Sequence, residues 1–157
     1  MLHALNGCEL KLQRCKWRHN SVLGYIVAQL RVQRPDHLIF ADLPGQDYRL
    51  PFDIEQRYRP DIVLQKGNEI TFIELTILFE DGFEAAHERK ETKYLSGIVA
   101  PARAAGFSPR LFCVEVGSRG KLAPSWRSFA NEFRLKPHIT PTCMSLSRIA
   151  RHLGDEA

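Results

Sequence analysis

No apolar run in this sequence approaches the ~20 residues that a membrane-spanning helix needs, which excludes a transmembrane helix. The opening stretch, Met1 to Cys8, lacks a basic region followed by a long apolar one, so no secretion signal is read there. Internal repeats and low-complexity tracts are also missing, which argues against solenoids and linker-rich assemblies. Cysteine is sparse, with four in 157 residues. Without a secretion signal, they suit a reducing compartment better than a disulfide framework. A strong excess of one charge is absent too. Twenty-two Lys and Arg against 18 Asp and Glu leave +4, which only mildly favours polyanionic partners. What remains is 44% hydrophobic and 25% charged, enough for one packed core. The expectation is a single soluble, intracellular, slightly basic domain.

Gly and Pro punctuate the chain at Pro44-Gly45, Lys66-Gly67-Asn68, Ser118-Arg119-Gly120 and Lys136-Pro137. A first helix is predicted from a cap at Asn20 or Ser21, through Val22, Tyr25, Ile26, Gln29 and Leu30, to Arg34-Pro35. His37 to Leu43 reads as a short strand. Asp61 to Gln65 and Ile70 to Ile77 flank the turn Lys66-Gly67-Asn68-Glu69, a hairpin signal. Both faces of the second strand are largely apolar, as for a strand covered on two sides. Phe83 to Ala105 is helical in pattern, with a break before Pro101. Leu111 to Val116 is a further buried strand, ended by Gly117, and two helices follow at Pro124 to Phe133 and Pro141 to Leu153. The order αβββαβα implies an α/β fold, a small mixed sheet with helices on both faces.

The chemistry concentrates between Arg59 and Tyr94. Asp61 begins one hairpin strand, and Glu74 follows a twelve-residue spacer inside its partner. Acidic side chains on adjacent strands can converge on Mg²⁺, a cation that takes oxygen ligands and keeps several waters. Asp61 could equally cap a turn after Pro60. Glu74 lies between Ile73 and Leu75, where an unpaired carboxylate costs several kcal/mol and needs a partner, a metal or a function. On the next helix, Ala86, His87, Lys90, Tyr94 and Gly97 share one stripe at ~100° per residue. Lys90 is near its middle and Lys93 at its edge. An inward Lys can simply snorkel. Aimed at a carboxylate pair, it can instead orient water and stabilise a charged transition state.

Arg59-Pro60-Asp61, the spacer, Glu74-Leu75-Thr76, and then Lys90 with Lys93-Tyr94 resemble the PD-(D/E)XK nuclease superfamily. More narrowly, they are similar to the restriction-like endonuclease domain of site-specific non-LTR retrotransposon proteins. There the lysine of the usual tripeptide is displaced onto the following helix, and here Thr76 stands where it is expected. The resemblance implies a PD-(D/E)XK restriction-endonuclease-like core, with Asp61 and Glu74 as metal ligands and Lys90 as the catalytic lysine. Lys93 is the competing choice, and helical phase favours Lys90. The implied cofactor is Mg²⁺, with Mn²⁺ as the alternative.

The resemblance extends to the start of the chain. His3 and Cys8 are similar to the second half of a Cys-Cys-His-Cys zinc knuckle, and Arg18 to Leu23 resembles the Arg-His motif that follows it. The first two knuckle cysteines are absent, and the spacing of Cys15 does not fit. Two ligands cannot close a tetrahedral site, so Zn²⁺ is not expected, and a frayed terminus is preferred. Residues 1–20 thus read as a knuckle stub with a basic segment, and residues 21–157 as the nuclease domain. Glu115 to Gly120 also looks like a strand end of these domains.

Lys11, Arg14, Lys16, Arg18 and His19 form a basic run around Trp17, and Arg57 and Arg59 precede Asp61. Such runs are by default solvated faces. The resemblance tilts Lys16, Arg18, His19, Arg57 and Arg59 towards DNA phosphates, whose contacts position a duplex without reading it. The leading expectation is a metal-dependent DNA endonuclease that nicks its target by phosphodiester hydrolysis. By resemblance it acts in the nucleus, with the reverse transcriptase domain of a parent polypeptide as a partner. An inactive nuclease-fold DNA-binding module or retroelement remnant is the alternative. A structural domain with hydrogen-bonded carboxylates is the third.

Overall fold

A computed structural model describes residues 2–78 and 82–136, with side chains from residue 12 onward. The chain is mixed α/β, with one four-stranded sheet flanked by helices. The elements are α1 (Leu2–Gln33), β1 (Leu38–Ala41), β2 (Ile62–Lys66), β3 (Glu69–Leu78), α2 (Phe83–Tyr94), a π-helical stretch (Leu95–Val99), α3 (Ala100–Ala104), β4 (Ser108–Gly117) and α4 (Pro124–Phe133). The sheet order is β1-β2-β3-β4, antiparallel across the first two junctions and parallel between β3 and β4. That parallel pair requires a crossover. The α2-to-α3 segment supplies it.

The hairpin forms where the sequence places it. Lys66 pairs with Glu69 across a two-residue loop, and Gly67 has φ +59° at the first loop position. Primed hairpin turns need a positive φ there, which glycine adopts without steric cost. β4 begins three residues earlier than Leu111 because it runs alongside the whole of β3, from Glu69↔Ser108 onward. Pro109 is tolerated because β4 is an edge strand.

Strand alternation divides the core in two. Ile62, Leu64, Ile73, Leu75, Val114 and Val116 face Val22, Leu23, Ile26 and Leu30 of α1 and Trp126, Phe129 and Phe133 of α4. On the other face, Val63, Ile70 and Phe72 pack with Tyr94, Ile98, Val99 and Ala102. The segment between β1 and β2 closes this side, with the Phe52 ring edge-on to Phe72 at 6.2 Å.

The structure revises the sequence reading in two places, each with a physical cause. First, α1 does not start at Asn20 or Ser21. It runs unbroken from Leu2, and the Ser21 hydroxyl donates back to the Trp17 carbonyl at 2.8 Å instead of capping an end. The stretch expected to fray is helical backbone, while the side chains of His3, Cys8 and Lys11 lie outside the described residues. Second, the break before Pro101 is a π turn, in which the Ala100 N–H reaches the Leu95 carbonyl. Pro101 has no N–H to continue the α ladder, and the wider turn absorbs the loss. The expected final helix at Pro141 to Leu153 lies outside the described residues. Among the described residues, no helix is long and apolar enough to cross a membrane.

The π turn explains Gly97. An added Cβ would meet Tyr58 Cδ1 at 2.0 Å and Cγ at 2.4 Å, too near the root of the ring for a side-chain swing to relieve. Gly97→Ala is expected to destabilise by about 2 kcal/mol, overpacking outweighing the gain in helix propensity. The melting temperature should then fall by roughly 4–8 °C. In the Tyr58→Ala background the same change should cost little. A thermal melt of both singles and the double checks this.

Candidate active site

Asp61 sits one step beyond the Ile62↔Ile73 pair, which places it across from Glu74 on β3. Its backbone is pinned, since the Asp42 N–H donates to the Asp61 carbonyl at 2.8 Å. Arg59 donates to Asp42 Oδ1 at 2.8 Å and stacks 3.8 Å over the Tyr48 ring, while the Tyr48 hydroxyl donates to the Pro60 carbonyl at 2.7 Å. The Asp61 carboxylate accepts the Leu75 N–H at 2.7 Å on Oδ2. His19 Nε2 of α1 lies 3.2 Å from that same oxygen.

Glu74 is only 5% exposed. Its Oε1 accepts from Lys90 Nζ at 2.5 Å, and its Oε2 is buried without a hydrogen-bond partner. Burial raises the Glu74 pKa, and the Asp61 charge raises it further against the opposing pull of Lys90. The two carboxylate charges oppose each other, a cost that a cation between them would relieve. Thr76 Oγ1, in the position expected for the tripeptide lysine, is likewise buried and unpaired. For His19, burial alone would lower the pKa, but the hydrogen bond and charge of Asp61 outweigh it and the net shift is upward.

His19, Glu74, Thr76 and Lys90 open onto a groove of about 1020 Å³ at the C-terminal end of β3, and Asp61 does not line it. Helix α1 walls it with Arg14, Lys16, Arg18 and His19, α2 supplies Lys90, and Glu74 and Thr76 form its floor. The groove therefore gathers Glu74, Lys90 and His19, with Lys16 and Arg18 beside them, while Asp61 joins it through its contact with His19 and its place across from Glu74. Lys93, Arg57 and Arg59 do not line the groove. Lys93 Nζ lies 4.9 Å from the Tyr94 ring centre and 5.9 Å from that of Tyr58. Arg57 pairs with Glu55 at 2.8 Å in the open, and Arg59 is taken up by Asp42 and Tyr48.

Two features escaped the sequence reading. One is the His19–Asp61 contact, which joins residues 42 apart and leaves no local pattern. The other is a second polar cluster on the same face of the sheet. Glu115, 1% exposed, accepts from the Ser125 hydroxyl at 2.5 Å and faces His87 Nδ1 at 3.0 Å. It ties β4 to α2 and α4. Residue His87 was legible on the α2 stripe, one turn before Lys90, but nothing in an apolar strand pattern announced its partner. Nearby Cys113 is buried, which with the Glu115 charge pushes its thiol up to about 12, so it stays protonated.

Asp61 and Glu74 fit a hard divalent cation, because the pair presents carboxylate oxygens and one of them, Glu74 Oε2, is buried and orphaned. Among the described residues, no three His, Cys, Asp or Glu side chains converge on one point. Any such ion would complete its shell with water and phosphate, as Mg²⁺ commonly does. No protein-family model matches this sequence, and no curated protein matches it either.

Proposed function

We propose that this chain is a metal-dependent DNA endonuclease with a PD-(D/E)XK restriction-endonuclease-like core, nicking DNA by phosphodiester hydrolysis. The observation that carries this reading is the Lys90–Glu74 contact in a groove walled by Arg14, Lys16 and Arg18, with Asp61 across from Glu74 on the neighbouring strand. The αβββαβ order and the mixed sheet support the core assignment. Nuclear action and a reverse transcriptase domain in a parent polypeptide belong to the same proposal, and rest on the sequence resemblance alone.

A Mg²⁺ ion, or Mn²⁺ in its place, would polarise the phosphoryl oxygen and lower the pKa of a bound water. The chain's own residues do the rest. Asp61 and Glu74 would hold the ion. Lys90 sits beside Glu74, where its ammonium faces a phosphate brought to the pair and stabilises charge that builds there. Arg14, Lys16 and Arg18 neutralise backbone phosphates and set the duplex in the groove, so binding should weaken steeply with salt.

A catalytically inactive DNA-binding module is the competing reading. It is favoured by the Lys90–Glu74 ion pair, which neutralises Glu74 without any metal. Incubation with supercoiled plasmid separates the two. Conversion to the nicked circle with Mg²⁺ or Mn²⁺, stopped by chelator, is expected of the nuclease. Salt-sensitive binding with no nicking under either metal would leave only the binding module.

A further inference from the structure

We infer that His19 positions the Asp61 carboxylate as a metal ligand and is not a contact to nucleic acid; this rests on the nuclease reading above. Residues 12–17, in the basic run that carries His19, are exposed, Trp17 by 49%. Burial begins at Arg18, whose Nε is buried, and deepens from His19 onward. The His19 side chain is 28% exposed, and Val22 and Leu23, one turn further on, are fully buried against the sheet. The imidazole is thus anchored by α1 packing and reaches down instead of out.

Nε2 lies 3.2 Å from Asp61 Oδ2, the oxygen that also takes the Leu75 N–H at 2.7 Å. Two donors from different elements, α1 and β3, therefore fix the same carboxylate oxygen. That sets the plane of the group and leaves Oδ1 to ligate. A carboxylate with one oxygen tethered loses less rotamer freedom when it binds a cation. Outer partners of this kind orient ligands, and losing one typically costs 10- to 100-fold in metal affinity. A phosphate contact would behave differently, weakening DNA binding and lowering the salt dependence by about one phosphate.

The test is Mn²⁺ binding to the DNA-free protein by titration calorimetry, for wild type, His19→Ala, His19→Gln and Asp61→Asn. DNA affinity is measured in chelator across a salt series for the same proteins, each checked for folding by thermal melt. His19→Ala should weaken Mn²⁺ by about 10- to 100-fold while DNA affinity and salt slope hold. His19→Gln, which keeps an N–H donor, should recover part of the loss. Unchanged Mn²⁺ affinity with weaker, less salt-dependent DNA binding would overturn the inference, making His19 a phosphate contact. Unchanged Mn²⁺ affinity in Asp61→Asn, or no Mn²⁺ binding in wild type, would overturn the metal site itself and the nuclease reading with it.

Discussion

Asp61→Asn should abolish nicking while the protein still folds and still binds DNA. The choice of Asn follows from the contacts. Asp61 Oδ2 accepts the Leu75 N–H at 2.7 Å, and an amide oxygen can accept it equally well. Alanine would instead strand that N–H, at about 1–3 kcal/mol, and confuse a folding defect with a chemical one. With Asn, the fold should lose no more than about 1 kcal/mol, the net worth of one hydrogen bond. The reaction loses far more. A neutral amide is a poor ligand for a hard cation, and forfeiting about 4 kcal/mol of transition-state stabilisation slows cleavage about 10³-fold. DNA affinity in chelator should stay within about threefold, because the phosphate-facing cations of α1 are untouched. Nicking rates, binding and melts on the same preparation check all three. Cleavage within tenfold of wild type would sink Asp61 as a ligand.

Legibility followed the range of the interactions. The hairpin could be read because its signal is local, a glycine-containing turn between two apolar runs, and Gly67 does adopt the positive φ that the turn needs. The α2 stripe could be read because helical phase depends only on spacing, and Ala86, Tyr94 and Gly97 are indeed buried along it. That same phase correctly brought Lys90 over Glu74. The true start of α1 was hidden for the opposite reason. Residues before Val22 carry no continuous apolar face, so periodicity has nothing to detect, and Asn20 and Ser21 look like caps although both sit mid-helix. His19 and Glu115 show the remaining gap. Each is defined by a partner brought close only by folding, Asp61 across 42 residues in one case and His87 across 28 in the other. The basic run around Trp17 illustrates both sides. Its charge was plain from composition, but only the fold separates Lys16 and Arg18, which wall the groove, from Arg59, which a salt bridge and an aromatic ring hold elsewhere.

Lys90 and Lys93 provide the sharper discrimination, because they are three residues apart on one helix and differ in what they face. Lys90 Nζ is 2.5 Å from Glu74 Oε1 and lines the groove. Lys93 rests over the Tyr94 and Tyr58 rings at 4.9 and 5.9 Å, outside it. Lys90→Met keeps the apolar stem and deletes the cation. Cleavage should fall about 10²- to 10³-fold, the usual scale for losing one donor aimed at developing charge. Glu74 then loses the main group that draws its pKa down, and burial with the Asp61 charge raises it further against Tyr94 alone. Protonation then competes with its use as a ligand at higher pH than in wild type, so the residual activity of Lys90→Met should climb with pH more steeply than that of wild type. Lys93→Met removes an exposed cation–π contact worth about 0.5–1 kcal/mol, so it should lower stability slightly and leave cleavage within threefold. The reverse pattern, with Lys93 essential and Lys90 dispensable, would move the chemistry to the Tyr58–Tyr94 side of α2. Rate–pH profiles of the two variants, measured at a fixed subsaturating Mn²⁺ concentration, read the Glu74 effect. Rates repeated with saturating Mn²⁺ mask a defect in metal binding, and what remains there is the contribution of the ammonium itself.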